Sequence, residues 1–259
     1  MKIITGYIQA DSGEVKILSE DALSQPQKTS SLIGYLPEHN PLYLDMYVKE
    51  FLEFAAGLYG IKPSEARTRS QELIRKTGLG PEQHKKIGQL SKGYRQRVGL
   101  AKALIHDPKV VILDEPTTGL DPNQLVEIRK LIQEVAQDKT LILSTHIMQE
   151  VEAICQDVVI INQGKIRAAD SLNALKTASS GTQLILESDE ALKLEWFEKL
   201  GKVAFGPKGS TELILLTQEP NEARRALLGI LQEKQRNLIR LDQGNKSLET
   251  LFREITSTP

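Results

Sequence analysis

The feature that most constrains this chain is a four-residue apolar run, Val110-Val111-Ile112-Leu113, that ends in two carboxylates, Asp114 and Glu115, and then Pro116. An apolar run without polar alternation reads as a strand buried on both faces, as in a parallel sheet covered by helices. Such sheets bind ligands in the crevice outside the carboxyl ends of their strands. The run therefore predicts an α/β fold and places a pair of acids at its ligand edge. Asp114 suits Mg²⁺ held through a water shell. Glu115 suits a general base polarising an attacking water.

The neighbouring segments fit that sheet. Glu14–Leu18 and Leu32–Leu36 read as strands, the second closed by Pro37-Glu38. Apolar residues recur at helical spacing from Tyr47 to Tyr59, and further helices fit Ser64–Thr77, ended by Gly78, and Ser91–His106. No strand separates them, so residues 42–106 read as a helical insertion. Pro122 starts a helix to about Gln137, Thr140–Ser144 is the next strand, and Ile147–Ile154 is a helix. Val158–Ile161 and Lys165–Ala168 flank a turn at Gly164. Strands alternating with helices make this a mostly parallel α/β unit, about 1–177. Beyond the small polar stretch Thr177–Thr182 comes an accessory α+β unit over 182–259. It is read as strands at Gln183–Glu187, Val203–Phe205, Thr211–Leu216 and Leu238–Leu241, with helices at Glu190–Leu200, Asn221–Lys234 and Ser247–Ile255. Trp196, Phe197 and Leu200 read as its core. At the other end, Met1–Gly6 reads as the last turns of a helix stopped by glycine.

Composition narrows the function. Lys plus Arg is 33 against 34 Asp plus Glu, a net charge of -1 that argues against a nucleic-acid partner. No apolar stretch approaches the ~20 residues of a membrane helix. The single cysteine, Cys155, excludes an internal disulfide and a cysteine-based zinc site, and reads as a small buried residue.

Other segments carry chemistry only in combination. Ser91, before a long helical pattern, is by itself an N-cap. With Lys92 and Gly93, the same helix start is also an anion site. Gly119-Leu120-Asp121-Pro122 is a tight turn just after the acids, and Ser144-Thr145-His146 ends the next strand, where the imidazole can face the same crevice.

Taken in order, these segments resemble the nucleotide-binding subunit of ABC transporters over about residues 1–175. Leu90–Arg97 is similar to the signature motif, Val110–Glu115 to Walker B with its following glutamate, Gly119–Pro122 to the D-loop and His146 to the switch histidine, while Pro37-Glu38 sits where that family has its Q-loop. The form of the signature, Leu90-Ser91-Lys92-Gly93-Tyr94-Arg95-Gln96-Arg97, and the C-terminal pattern Ser247-Leu248-Glu249-x-x-Phe252 resemble the ABC-2 exporter branch, and within it the gliding-motility-associated (GldA-like) subunit.

The resemblance implies an ATPase with ATP and Mg²⁺ as cofactors. It assigns Glu115 and His146 to catalysis, Asp114 and Glu38 to Mg²⁺, and Ser91, Lys92, Gly93, Glu38 and Asp121 to the nucleotide. It implies a homodimer or heterodimer of ATP-binding subunits docked on an ABC-2 type permease, at the inner face of the cytoplasmic membrane and without nucleic acid. Three departures stand out. Glu38 replaces the usual glutamine, Lys92 and Tyr94 replace a glycine and a glutamine, and no G-x-x-x-x-G-K-[ST] occurs. Met1 falls where that loop's helix would be under way, so the expectation is a sequence that begins after Walker A. The alternative is a non-catalytic ABC-like interaction subunit without its own phosphate loop.

Overall fold

A computed structural model describes residues 1–178, 182–245, 248–249 and 252. The chain divides into two compact units, Met1–Ile154 and Cys155–Pro259.

The first unit opens on a single turn. The Tyr7 N–H donates to the Lys2 carbonyl (2.8 Å) and the Gly6 N–H to the Ile3 carbonyl (3.0 Å), with Gly6 at φ 72°. The sequence reading of a helix end over Met1–Gly6 is met only in part: Gly6 takes the left-handed conformation a residue without Cβ enters freely, but the segment is a hydrogen-bonded turn and not a helix. The strand expected over Glu14–Leu18 shrinks to β1, Lys16–Ile17. It turns back at once into β2, Glu20–Asp21, because Leu18 and Ser19 both take positive φ. The polar stretch that follows holds a short helix, α1 (Pro26–Ser30), with one buried residue, Thr29. One turn burying one side chain leaves no periodic apolar signal to read.

Next come β3 (Ile33–Leu36), α2 (Val48–Leu58), α3 (Pro63–Lys76), 3₁₀ turns at Gly80–Glu82 and Ile87–Gln89, and α4 (Lys92–Leu104). They are followed by β4 (Val110–Asp114), α5 (Pro122–Ala136), β5 (Thr140–Ser144) and α6 (Met148–Ile154). The strands β3, β4 and β5 form a parallel sheet in that order, with Leu36 opposite Leu113 and Asp114 opposite Ser144. Val111, Ile112 and Leu113 are fully buried in the middle of it, as the apolar run requires. Strand ends of β3, β4 and β5 therefore come out side by side on one edge.

Two features bring the helices close to this sheet. A Cβ at Gly34 would stand 2.2 Å from the Ala103 carbonyl, so β3 and α4 touch backbone to backbone. The core runs continuously from Leu36, Val111 and Leu113 through Leu100 and Ile105 to Leu52, Ile74 and Ile87 of the helical group.

In the second unit, β6 (Asp157–Asn162) and β7 (Lys165–Ser171) form an antiparallel hairpin. Its turn residues Gln163 and Gly164 both have positive φ, the tight turn read from Gly164. Then come α7 (Leu172–Ala178), β8 (Thr182–Ser188), β9 (Lys202–Gly206), β10 (Gly209–Thr217), α8 (Pro220–Glu233) and β11 (Leu238–Asn245). The last four strands make an antiparallel sheet ordered β11-β8-β10-β9, and α8 packs on it around Leu184, Leu213, Leu215 and Leu227.

The helix expected over Glu190–Leu200 is not there. Single 3₁₀ turns stand at Leu194–Trp196 and Glu198–Leu200. The start of the segment is pinned from outside. The Asp189 N–H donates to the Asn237 carbonyl, and the Leu192 N–H donates to the Ser210 carbonyl. With these bonds made, the backbone stays non-helical through Lys193 and then turns tightly to bury Phe197 completely, with Trp196 and Leu200 packed beside it. Cys155 is only partly buried. Ser247 and most of the final expected helix lie outside the described residues, as do residues 179–181 of the proposed boundary.

Candidate functional site

The carboxyl ends of β3, β4 and β5 bring four of the expected site residues together. Asp114 is the last residue of β4 and half-buried. Glu115 follows with φ 49°, a left-handed conformation costing a non-glycine residue roughly 1–3 kcal/mol. Several bonds hold it there. Its N–H donates to the Ser144 carbonyl at the end of β5 (2.9 Å). Its Oε1 accepts from the His146 backbone N–H (3.1 Å) and faces His146 Nδ1 at 2.7 Å, while its Oε2 accepts from Thr118 Oγ1 at 2.9 Å. A carboxylate has about four acceptor positions, so these contacts leave roughly one, on Oε2, for a water.

His146 is 72% exposed at its side chain whereas Glu115 is only 16% exposed, so the acid is held inward and the imidazole outward. The hydrogen bond to Glu115, then the charge of Glu115, and further off those of Glu150 and Glu38, hold the His146 pKa above its usual value. Glu38 is exposed in the loop after β3 and thus faces the same edge. Asp114 meets the Tyr35 hydroxyl. Burial first, then the Asp114 charge and that hydrogen bond, push the phenol's pKa up.

A second cluster joins the start of α4 to the start of α5. Ser91 caps α4, its Oγ accepting from the Tyr94 N–H at 3.4 Å. Asp121 caps α5, its Oδ1 accepting from the Asn123 and Gln124 N–H groups at 3.1 and 3.0 Å. Lys92 is exposed, and its Nζ lies where a Cβ on Gly119 would be, 2.2 Å away. Gly93 is buried under Gln124, whose Oε1 a Cβ would meet at 2.1 Å. Ser91, Lys92 and Asp121 therefore share an exposed surface between two helix N-termini, with one lysine and one carboxylate, while Gly93 lies buried beneath it.

Sequence reasoning missed the supporting residues. Thr118 follows Glu115 by three positions, a turn spacing that makes its contact legible in hindsight. Tyr35 and Thr145 give no such signal, because their partners come from other strands or from a local loop. Thr145 Oγ1 accepts from the Ile147 N–H (3.1 Å) and donates to the wholly buried Glu150 (3.3 Å), which fixes the backbone on either side of His146.

The donor set at the strand ends is all oxygen apart from the histidine, the chemistry Mg²⁺ accepts. Among the described residues no cluster of three or more His, Cys, Asp or Glu forms a metal cage. Two carboxylates at a strand edge instead fit an ion whose remaining ligands are phosphate and water oxygens.

Comparison with known proteins decides the family. The profile of the ABC transporter family matches residues 1–118. An uncharacterized ABC transporter ATP-binding protein of Bacillus subtilis, YxlF, is 31% identical over 255 residues, covering 98% of this chain and 84% of that protein. The chain belongs to the ABC transporter ATP-binding proteins. NatA, another such protein of Bacillus subtilis, is 34% identical over 177 residues, 68% of this chain and 72% of NatA. A solved structure of an ATP-binding subunit of an ABC transporter superposes with a TM-score of 0.61 at 29% identity, over 68% of this chain and 74% of that one. The α/β fold of this family's ATPase is thus the fold of the chain. Because the YxlF alignment spans nearly all of it, most of the C-terminal unit is shared with that relative.

Proposed function

We propose that this chain is an ATP-binding and ATP-hydrolysing subunit of an ABC-2 type exporter, of the gliding-motility-associated branch, working as a dimer on a membrane permease at the inner face of the cytoplasmic membrane. The observation that carries the reading is Glu115 at the end of β4, fixed by His146 and Thr118 with one acceptor position left for water. Mg·ATP, when bound, supplies the phosphoryl group that is passed to water. Asp114 and Glu38 would hold the ion through its water shell. Glu115 would take the proton of the attacking water. His146, with its raised pKa, would donate to developing charge on the phosphoryl oxygens. Catalysis of this kind is mainly positioning and electrostatic stabilisation. Ser91 and Gly93 would offer the start of α4 to a nucleotide held by the opposite subunit, with Lys92 adding charge and Asp121 linking the two sites.

Docking is supported by the exposed side chains of Tyr43, Leu44, Phe54 and Leu58 along the loop after β3 and on α2. Tyr43 packs edge-on to Phe51 (6.0 Å) and against Phe54 (5.6 Å), which stiffens this apolar surface for a helix of the permease. No helix among the described residues is long and apolar enough to cross a membrane.

The test is ATP turnover by the protein expressed from its native locus and isolated with its membrane partner. Glu115→Gln is expected to lower turnover by a factor of about 100 or more while leaving ATP cross-linking in place. Undiminished hydrolysis would remove Glu115 from the reaction. Absence of ATP cross-linking to the wild type would favour the non-catalytic interaction subunit, the reading supported by the lack of a G-x-x-x-x-G-K-[ST] in these 259 residues.

A further inference from the structure

The loop that leaves β3 is stitched to the segment leading into α4 at several points. The Val48 N–H donates to the Lys85 carbonyl (3.2 Å), the Ile87 N–H to the Met46 carbonyl (2.9 Å) and the Gly88 N–H to the Leu44 carbonyl (2.8 Å). Arg95, on the first turn of α4, closes the other side, its guanidinium donating to the carbonyls of Ile87 (3.2 Å) and Gly88 (2.8 Å). One side chain completes the circuit. Asn40, two residues past Glu38, donates its Nδ2 to the Arg95 carbonyl at 3.3 Å across 55 positions of sequence. The fit is tight, because a Cβ on Gly99 would stand 1.9 Å from that Nδ2. Asn40 Oδ1 is buried and without a partner, so the amide sits there at a cost and its one bond to α4 has to offset it.

We infer that Asn40 is a positioning residue that locks the loop carrying Glu38 to the helix begun by Ser91–Gly93, so that these two parts of the proposed ATP site move as one body. The inference rests on the ATPase reading for its meaning but not for its geometry. Glu38 lies near enough to His146 at its own sheet edge for its charge to act there, and Ser91–Gly93 would serve the nucleotide of the opposite subunit. A rigid link between them makes a displacement at one composite site a displacement at the other. Gly99 is the counterpart of the device, the residue whose missing side chain admits the amide.

The experiment is amide hydrogen exchange on the full 259-residue chain without nucleotide. Asn40→Leu fills the same space without a donor. It is expected to speed exchange about fivefold, the effect of one lost hydrogen bond of ~1 kcal/mol, both in residues 38–46 and in residues 91–99. Loosening of the loop alone, or of neither segment, overturns the proposal, since a merely space-filling Asn40 would be replaced by leucine without joint loosening. A double variant guards against loss of fold. Gly99→Ala alone is expected to lower the Tm, and Asn40→Ala in the same chain to restore part of it by vacating the space. Additive losses in the double variant overturn the proposal as well. No arm depends on ATP, so a failed Glu115→Gln test with intact joint loosening would remove the ATPase reading and leave the link standing.

Discussion

At the scale of single residues, the pair formed by Glu115 and His146 is the most closely bonded part of the proposed site. The carboxylate oxygen sits 2.7 Å from Nδ1 and also accepts the backbone N–H of the same histidine, so ring and backbone grip one atom. That bond, followed by the Glu115 charge, raises the His146 pKa, with smaller contributions from Glu150 and Glu38. The sign of the linkage follows. A histidine whose folded pKa lies above its unfolded value of about 6.5 contributes stability at lower pH and loses it as pH rises through the folded value. The ring is largely solvated, so the contribution to stability is small and the effect belongs to the site. NMR titration of His146 in the full chain is expected to show a pKa above the ordinary histidine value. Glu115→Gln is expected to lower it, and Glu38→Gln to lower it by less. A titration midpoint unmoved by Glu115→Gln would mean that the two side chains do not meet in solution.

At the scale of elements, the two helix N-termini near the site show why a residue can have a structural and a functional reading at once. Asp121 lies where the family has its D-loop, yet it visibly caps α5, taking two backbone N–H groups ahead of Pro122 at the first helical position. Losing such a cap costs about 1 kcal/mol. Asp121→Ala should therefore lower the unfolding free energy of the full chain, measured by urea denaturation, by that amount, and Asp121→Asn, which keeps a capping oxygen, should lower it much less. A loss of activity in Asp121→Asn at unchanged stability would then report on the proposed link between sites rather than on the helix. Equal destabilisation by both substitutions would contradict the capping assignment.

The same elements show what a sequence can carry. The buried run 110–113, the cap at Ser91, the helix start at Pro122 and the glycine stop at Gly78 are signals local to a few residues. All of them reappear in the structure. The gathering of Glu38, Asp114, Glu115 and His146 was legible because adjacent parallel strands bring their ends to one edge. The non-helical path of Glu190–Lys193 was not, because it depends on the Ser210 and Asn237 carbonyls from elsewhere in the chain. The contacts of Tyr35 with Asp114 and of Asn40 with Arg95 were hidden for the same reason.

For the molecule as a whole, the question is what a chain with this edge but no phosphate-loop motif can bind. In such ATPases the glycine-rich loop and its lysine provide the backbone N–H cradle and the charge that hold the nucleotide. What this chain offers instead is a carboxylate edge, which repels a polyanion unless a cation intervenes, and a surface at Ser91–Gly93 with the single lysine Lys92. Neither part encloses a triphosphate. Titration calorimetry of the isolated 259-residue chain with Mg·ATP is therefore expected to give a Kd of about 1 mM or weaker, on the order of -4 kcal/mol. Whatever affinity remains should fall further in Ser91→Ala and Lys92→Ala and be insensitive to Glu115→Gln, because in the proposed site the first two would face the anion and the last the attacking water. Submicromolar binding by the isolated chain would show that it builds a phosphate cradle from other residues and would move the nucleotide away from the edge argued for it.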